Sequence, residues 1–90
     1  MGLLSEARIG EQMRQLAGWE RSGAAIRKTY RFGSFKEGVA FANRVAEQAE
    51  EQDHHPDILI QYRQVTLTLT SHDAGGLTER DFRLARRIDG

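Results

Sequence analysis

The sequence predicts an α+β domain: a two-layer αββαββα arrangement in which a four-stranded antiparallel sheet carries its helices on one face. Three observations lead there. Apolar residues recur at helical spacing in three stretches and alternate at period two in the pairs of runs between them. Two of the helical stretches open with a Ser or Thr followed three residues later by an acid, the spacing of a capping box. Only one or two residues separate the runs within each alternating pair, which favours hairpins and hence an antiparallel sheet.

The first helix runs over 4–16, with Ser5 as its N-cap, Glu6 in the first turn, and Ile9, Met13 and Leu16 as one apolar stripe. Gly18 stops it. Trp19 to Ser22, a turn at Gly23, and Ala24 to Phe32 form the first hairpin, in which Ile26, Lys28, Tyr30 and Phe32 share a side. Lys28 is the polar exception on that side, expected to lay its stem over apolar neighbours and expose its amine. Ser34 with Glu37 caps the longest helix, whose stripe of Val39, Ala42, Val45, Ala46 and Ala49 has Phe41 at its flank. That helix ends near His54–His55, because Pro56 pushes the preceding residue out of the α region. Ile58 to Tyr62 and Val65 to Thr70 follow as a second hairpin turning at Arg63–Gln64, and Val65, Leu67 and Leu69 face one way. Gly75–Gly76 break the chain again. Thr78 and Asp81 then cap a last helix over 79–87, with Leu77 and Phe82 as its hydrophobic staple.

Ninety residues make a single domain, 1–90, with a modest core. Self-association is a natural supplement to so little burial. Thirteen basic residues balance thirteen acidic ones, so no net charge draws the chain to nucleic acid or to a membrane surface. Cysteine is absent, which removes disulfides, zinc ribbons and thiol catalysis. No apolar run is long enough to span a bilayer and no secretory h-region opens the chain, so the expected location is the cytoplasm.

The chemistry gathers between Glu50 and Asp81. All three histidines (His54, His55, His72) and the only proline, Pro56, lie there, with Glu50, Glu51, Asp53 and Asp73 close by. Imidazole takes or gives a proton near neutrality, and neighbouring carboxylates can orient it or raise its basicity. A three-histidine metal site is a second reading, weakened by the absence of any i, i+4 histidine pair. Surface or capping histidines that merely cluster are the third. On a continuing helix Glu50 would share a face with His54. Asp81 is explained by its capping box alone.

The residues Glu50, His54-His55-Pro56, Tyr62, His72 and Asp81 stand at the spacings of a known signature, and the chain resembles the pterin-4a-carbinolamine dehydratase family. Gly18-Trp19, Phe41 with Val45-Ala46, Gly75-Gly76-Leu77-Thr78, Leu84-Ala85 and Ile88-Asp89 extend the resemblance over nearly the whole chain. One departure is Ile58, where many members carry Trp. A divergent branch of carboxysomal Rubisco-assembly factors departs from the full motif, which is intact here.

The resemblance implies the αββαββα fold and the loss of water from 4a-hydroxytetrahydropterin to give quinonoid dihydropterin, without metal or redox cofactor. It implies His54 and His72 as the acid–base pair and His55 as a pterin contact that joins them at the catalytic centre. Glu50 would tune an imidazole. Pro56, Ile58 and Ser71 would line the substrate with His55 and His72, while Thr78 and Asp81 would stay structural. Members in animals resemble dual-function proteins that also stabilise a transcription factor's dimerisation helices. A non-catalytic assembly module is accordingly the alternative function. A homodimer or homotetramer is expected, with the small-residue helix Ser34–Asp53 as the suspected contact.

Overall fold

A computed structural model describes residues 2–90. Its elements are α1 (Glu6–Arg14), β1 (Glu20–Ser22), β2 (Ala25–Arg31), α2 (Phe35–Gln52), β3 (Asp57–Gln61), β4 (Gln64–Leu69) and α3 (Glu79–Asp89). The expected αββαββα order and the four-stranded antiparallel sheet are both present.

The strand order is β1-β2-β4-β3. Pairing β2 with β4 puts Ile26 opposite Leu69, Lys28 opposite Leu67 and Tyr30 opposite Val65. Directly opposed residues share a face, so one side of the two central strands is a continuous apolar surface. Ile9 of α1, Phe41, Val45 and Ala49 of α2, and Phe82, Leu84 and Ala85 of α3 cover it. Each fully buried side chain among Val45, Val65, Leu67, Leu69, Phe82 and Leu84 contributes about 1.5–3 kcal/mol. The other side, with Arg27, Thr29 and Arg31 of β2, is solvated. Gly38 lets α2 lie close, since a Cβ there would meet Val65 Cγ2 at 3.4 Å and Phe32 Cδ2 at 3.6 Å.

Three local expectations are corrected. The second hairpin turns at Tyr62–Arg63, with Gln61 opposite Gln64 and Ile58 opposite Leu67, not at Arg63–Gln64. Tyr62 takes a left-handed φ of 51° and so begins the turn one residue early. Of the two expected capping boxes, that of α3 is complete, whereas at α2 only the half in which the Glu37 N–H donates to Ser34 Oγ is formed. Lys28 does not simply expose its amine: Nζ donates to Ala17 O at 2.9 Å and pairs with Asp89 at 3.1 Å. The small-residue stripe of α2 is largely used inside the domain, with Ala42, Val45 and Ala49 buried. Its outward side carries Lys36, Glu37, Arg44, Glu47 and Glu50 together with the exposed Ala40, Asn43 and Ala46.

Of the large exposed apolar residues, Leu3, Phe35 and Tyr62 are scattered, and the other three are consecutive on β3. It is an edge strand with Ile58, Leu59 and Ile60 all exposed, and Leu59 is 53% accessible. Among the described residues no helix is long and apolar enough to cross a membrane.

Candidate functional site

The end of α2 sorts the two adjacent histidines. Helical geometry stops at Gln52, and Asp53 steps into the left-handed region (φ 49°, ψ 43°). The His54 N–H then reaches back to Ala49 O at 3.1 Å, the six-residue closure of a Schellman-type cap. The break is thus made at Asp53, three residues ahead of Pro56, and the proline only stiffens the entry into β3. After this reversal His54 points inward and is 7% accessible, while His55 points out.

His54 meets Asp81 from the first turn of α3. His54 Nε2 and Asp81 Oδ1 are 2.6 Å apart. A carboxylate only accepts, so the ring carries its proton on Nε2 and keeps Nδ1 for a second partner. Asp81 is fully buried, and its other oxygen accepts from Ser71 Oγ and from the Thr78 N–H, both at 2.9 Å. Ser71 and Thr78 are themselves bridged through their hydroxyls at 2.8 Å. The cap expected of Asp81 is therefore present but does not exhaust its role: the same carboxylate anchors His54. The hydroxyl of Ser71, expected at the substrate, is turned inside and spent on Asp81.

Ser71 also fixes where His72 stands. Its backbone pairs with Gly76 as an isolated bridge, closing a turn in which Ala74 and Gly75 donate to Ser71 O. His72 is the first residue of that turn and is exposed. The Asp81 network thereby joins the base of the His72 turn to the end of α2.

Glu50 does not reach His54. The left-handed step removes His54 from the helix face, and Glu50 Oε2 instead lies 2.5 Å from His55 Nε2. Both groups are more than half exposed, so water screens this pair. Pro56 is half-buried, and Ile58 is on the helix-facing side of β3 opposite Leu67. Among the described residues no group of three or more His, Cys, Asp or Glu is placed to hold a metal ion.

Two polar assemblies were not foreseen. Asp73 pairs with Arg80 Nη2 at 2.6 Å across the His72 turn, and a separation of seven residues from loop to helix has no periodic signature. Asp89 accepts from Trp19 Nε1 at 2.7 Å, from Lys28, and from the Tyr30 hydroxyl. The one trace of it in the sequence is Lys28 standing on an apolar face.

A small α+β domain that presents two imidazoles on carboxylates, beside a third on a short turn, has the equipment of an acid–base protein. Comparison with known proteins narrows this class. The family model for pterin 4 alpha carbinolamine dehydratase matches residues 2–90. The chain belongs to that family, and so to a family of hydro-lyases.

Proteins called "Putative pterin-4-alpha-carbinolamine dehydratase" are similar over nearly their full lengths. One from Thermomicrobium roseum is 53% identical over 98% of this chain and 95% of its own. One from Roseiflexus sp. is 55% identical over 96% and 92%. Among solved structures, a transcriptional coactivator/pterin dehydratase from Brucella melitensis superposes with a TM-score of 0.90 at 34% identity, covering 96% of this chain and 94% of the other. A pterin dehydratase-like protein identified as a RuBisCO assembly factor in the alpha-carboxysome reaches 0.64 at 28% identity, covering 79% and 82%.

Proposed function

We propose that the protein dehydrates 4a-hydroxytetrahydropterin to quinonoid dihydropterin, with His54 and His72 as its proton-transfer groups. The reading is carried by one observation: a single buried carboxylate, Asp81, holds both the His54 ring and Ser71, the residue from which the His72 turn starts. The two imidazoles are thus set relative to one another by a rigid, fully buried anchor, as two-sided proton transfer needs.

In the reaction the bond from C4a to the hydroxyl oxygen breaks, and its electron pair leaves with the oxygen. One imidazolium protonates that oxygen, so that water departs. The other imidazole takes the proton from the neighbouring ring nitrogen, and the electrons of that N–H bond form the new C=N double bond. With Nε2–H held by Asp81, His54 works through Nδ1. His55, exposed and paired with Glu50, serves as a contact for the pterin, with Pro56 and Ile58 along the adjoining wall. The structural role of Thr78 and Asp81 is to hold His54 and the His72 turn together.

The test is decay of the carbinolamine absorbance, generated enzymatically and followed with purified variants. His54→Ala and His72→Ala should each slow turnover at least tenfold while the circular dichroism spectrum stays that of the native fold. Turnover at the wild-type rate in the double variant would remove both residues from the reaction.

A second reading, self-association, is supported by β3. Its outer edge is unpaired, and Ile58, Leu59 and Ile60 are exposed on it. Such an edge is a template for pairing with another strand. The sequence Asp57-Ile58-Leu59-Ile60-Gln61 is nearly symmetric about Leu59, so two copies can pair antiparallel, Ile58 opposite Ile60, in a closed two-fold contact. We place the homo-oligomer contact there.

A further inference from the structure

We propose that the Asp73–Arg80 ion pair is a positioning clamp that holds the exposed limb of the 71–76 turn, and with it the imidazole of His72. The proposal rests on the reading of His72 as a proton-transfer group.

The turn is fastened at its base and not at its tip. Ser71 and Gly76 pair backbone to backbone, and the N–H groups of Ala74 and Gly75 fold back onto Ser71 O. Beyond these, the exposed residues His72 and Asp73 gain their tie to the body of the domain from one side-chain contact. Arg80 Nη2 donates to Asp73 Oδ1 at 2.6 Å.

The two partners differ in exposure. Asp73 is on the surface, with 69% of its side chain accessible, whereas the Arg80 side chain is only 23% accessible. Arg80 also stands in the first turn of α3, beside the buried capping box of Thr78 and Asp81. That helix end is the most firmly fixed point near the site, because Asp81 binds His54, Ser71 and the Thr78 backbone at once. A guanidinium on a covered stem therefore reaches out from a well-anchored helix end to an exposed carboxylate one residue from His72. Arg80 Nε is buried without a partner, so a single outward bond carries the head group's engagement with the turn. The adjacent guanidinium also holds the Asp73 carboxyl below the usual carboxylate range, which keeps it ionised throughout neutral pH.

An exposed ion pair stabilises a fold very little. Its effect here is geometric. A reacting group displaced by about 1 Å can lose on the order of 100-fold in rate. Loosening the clamp should consequently reduce kcat and leave substrate affinity nearly untouched.

The experiment compares Asp73→Asn, Arg80→Gln, Arg80→Lys and the Asp73→Asn/Arg80→Gln double variant with wild type. Kinetics of carbinolamine dehydration are measured beside 15N relaxation of the backbone amides of 72–75, with His72→Ala as control. Each single variant should lower kcat about five- to twentyfold with KM within about twofold. The double variant should lose no more than the worse single one, and Arg80→Lys should recover part of the rate. The order parameters of 72–75 should fall in the slow variants.

Wild-type kcat and unchanged order parameters in Asp73→Asn would overturn the clamp. So would multiplicative losses in the double variant. A raised KM in Arg80→Gln with no effect of Asp73→Asn would make Arg80 a substrate contact instead. The control separates the two levels of inference: full activity in His72→Ala removes the underlying reading of the site and the clamp's purpose with it. Loss of activity in His72→Ala beside fully active clamp variants removes the clamp alone.

Discussion

Asp81 is the residue on which fold and site converge. Its two oxygens accept from an imidazole, a hydroxyl and a backbone N–H while the side chain is shut off from solvent. Every one of these partners is a donor, so an amide of the same shape cannot replace the carboxylate: its NH2 would face a donor. Leaving a buried network unbalanced in this way costs about 3–5 kcal/mol. Asp81→Asn should lower the urea midpoint by that equivalent and slow dehydration by freeing His54. A loss under about 1 kcal/mol would mean that water reaches the carboxylate. The motif residues Glu50, His54, His55, His72 and Asp81 were all visible in the linear sequence, but their pairing was not. Glu50 four residues before His54 suggested one helical face, and a single left-handed residue at Asp53 gave Glu50 to His55 and Asp81 to His54.

At the scale of elements, the end of α3 is tied back onto the sheet through Asp89. It gathers the Trp19 indole, the Lys28 amine and the Tyr30 hydroxyl, and so joins α3, β2 and the segment leading into β1. Burial, and then the Asp89 carboxylate, push the Tyr30 phenol well above its ordinary range. The folded protein therefore holds that proton more tightly than the unfolded chain, whose tyrosine titrates near ~10. The resulting stability is complete below about pH 10 and is lost as the pH rises further. Urea midpoints measured from pH 8 to 11 should fall for the wild type above about pH 10 and fall less steeply for Tyr30→Phe. Parallel curves would assign the alkaline transition elsewhere.

The elements themselves were legible from caps and periodicity, but the second hairpin's register was not. A register shifted by two residues keeps every side chain on its original face, so alternation fits Ile58 opposite Leu67 as well as Ile58 opposite Leu69. The choice falls to the backbone of the turn, where Tyr62 adopts a conformation its type disfavours. The order β1-β2-β4-β3 was equally hidden, because β2 and β4 are separated by the whole of α2 and β3.

For the whole molecule, the question is what covers β3. Central β4 buries Val65, Leu67 and Leu69 completely, whereas its edge neighbour leaves three apolar residues in water. Pairing of two copies along this edge should give at least twice the 10.2 kDa chain mass by light scattering at roughly 100 μM. Leu59→Lys places a charge on the solvated side of the edge, where lysine blocks strand addition without touching the core. It should return the mass to that of one chain with unchanged thermal stability of the monomer. A wild type that stays at one chain mass over that range would remove the edge contact.

The left-handed step at Asp53 makes this protein's chemistry depend on counting more than on composition. The dipeptide His54-His55 is divided between interior and surface solely by where helical geometry stops. One residue inserted between Gln52 and His54, or the deletion of Asp53, would leave all three imidazoles in the product and hand the place on Asp81 to a different neighbour. Two relatives with the same histidine content are therefore equivalent at the site only when the interval from helix end to proline is the same length.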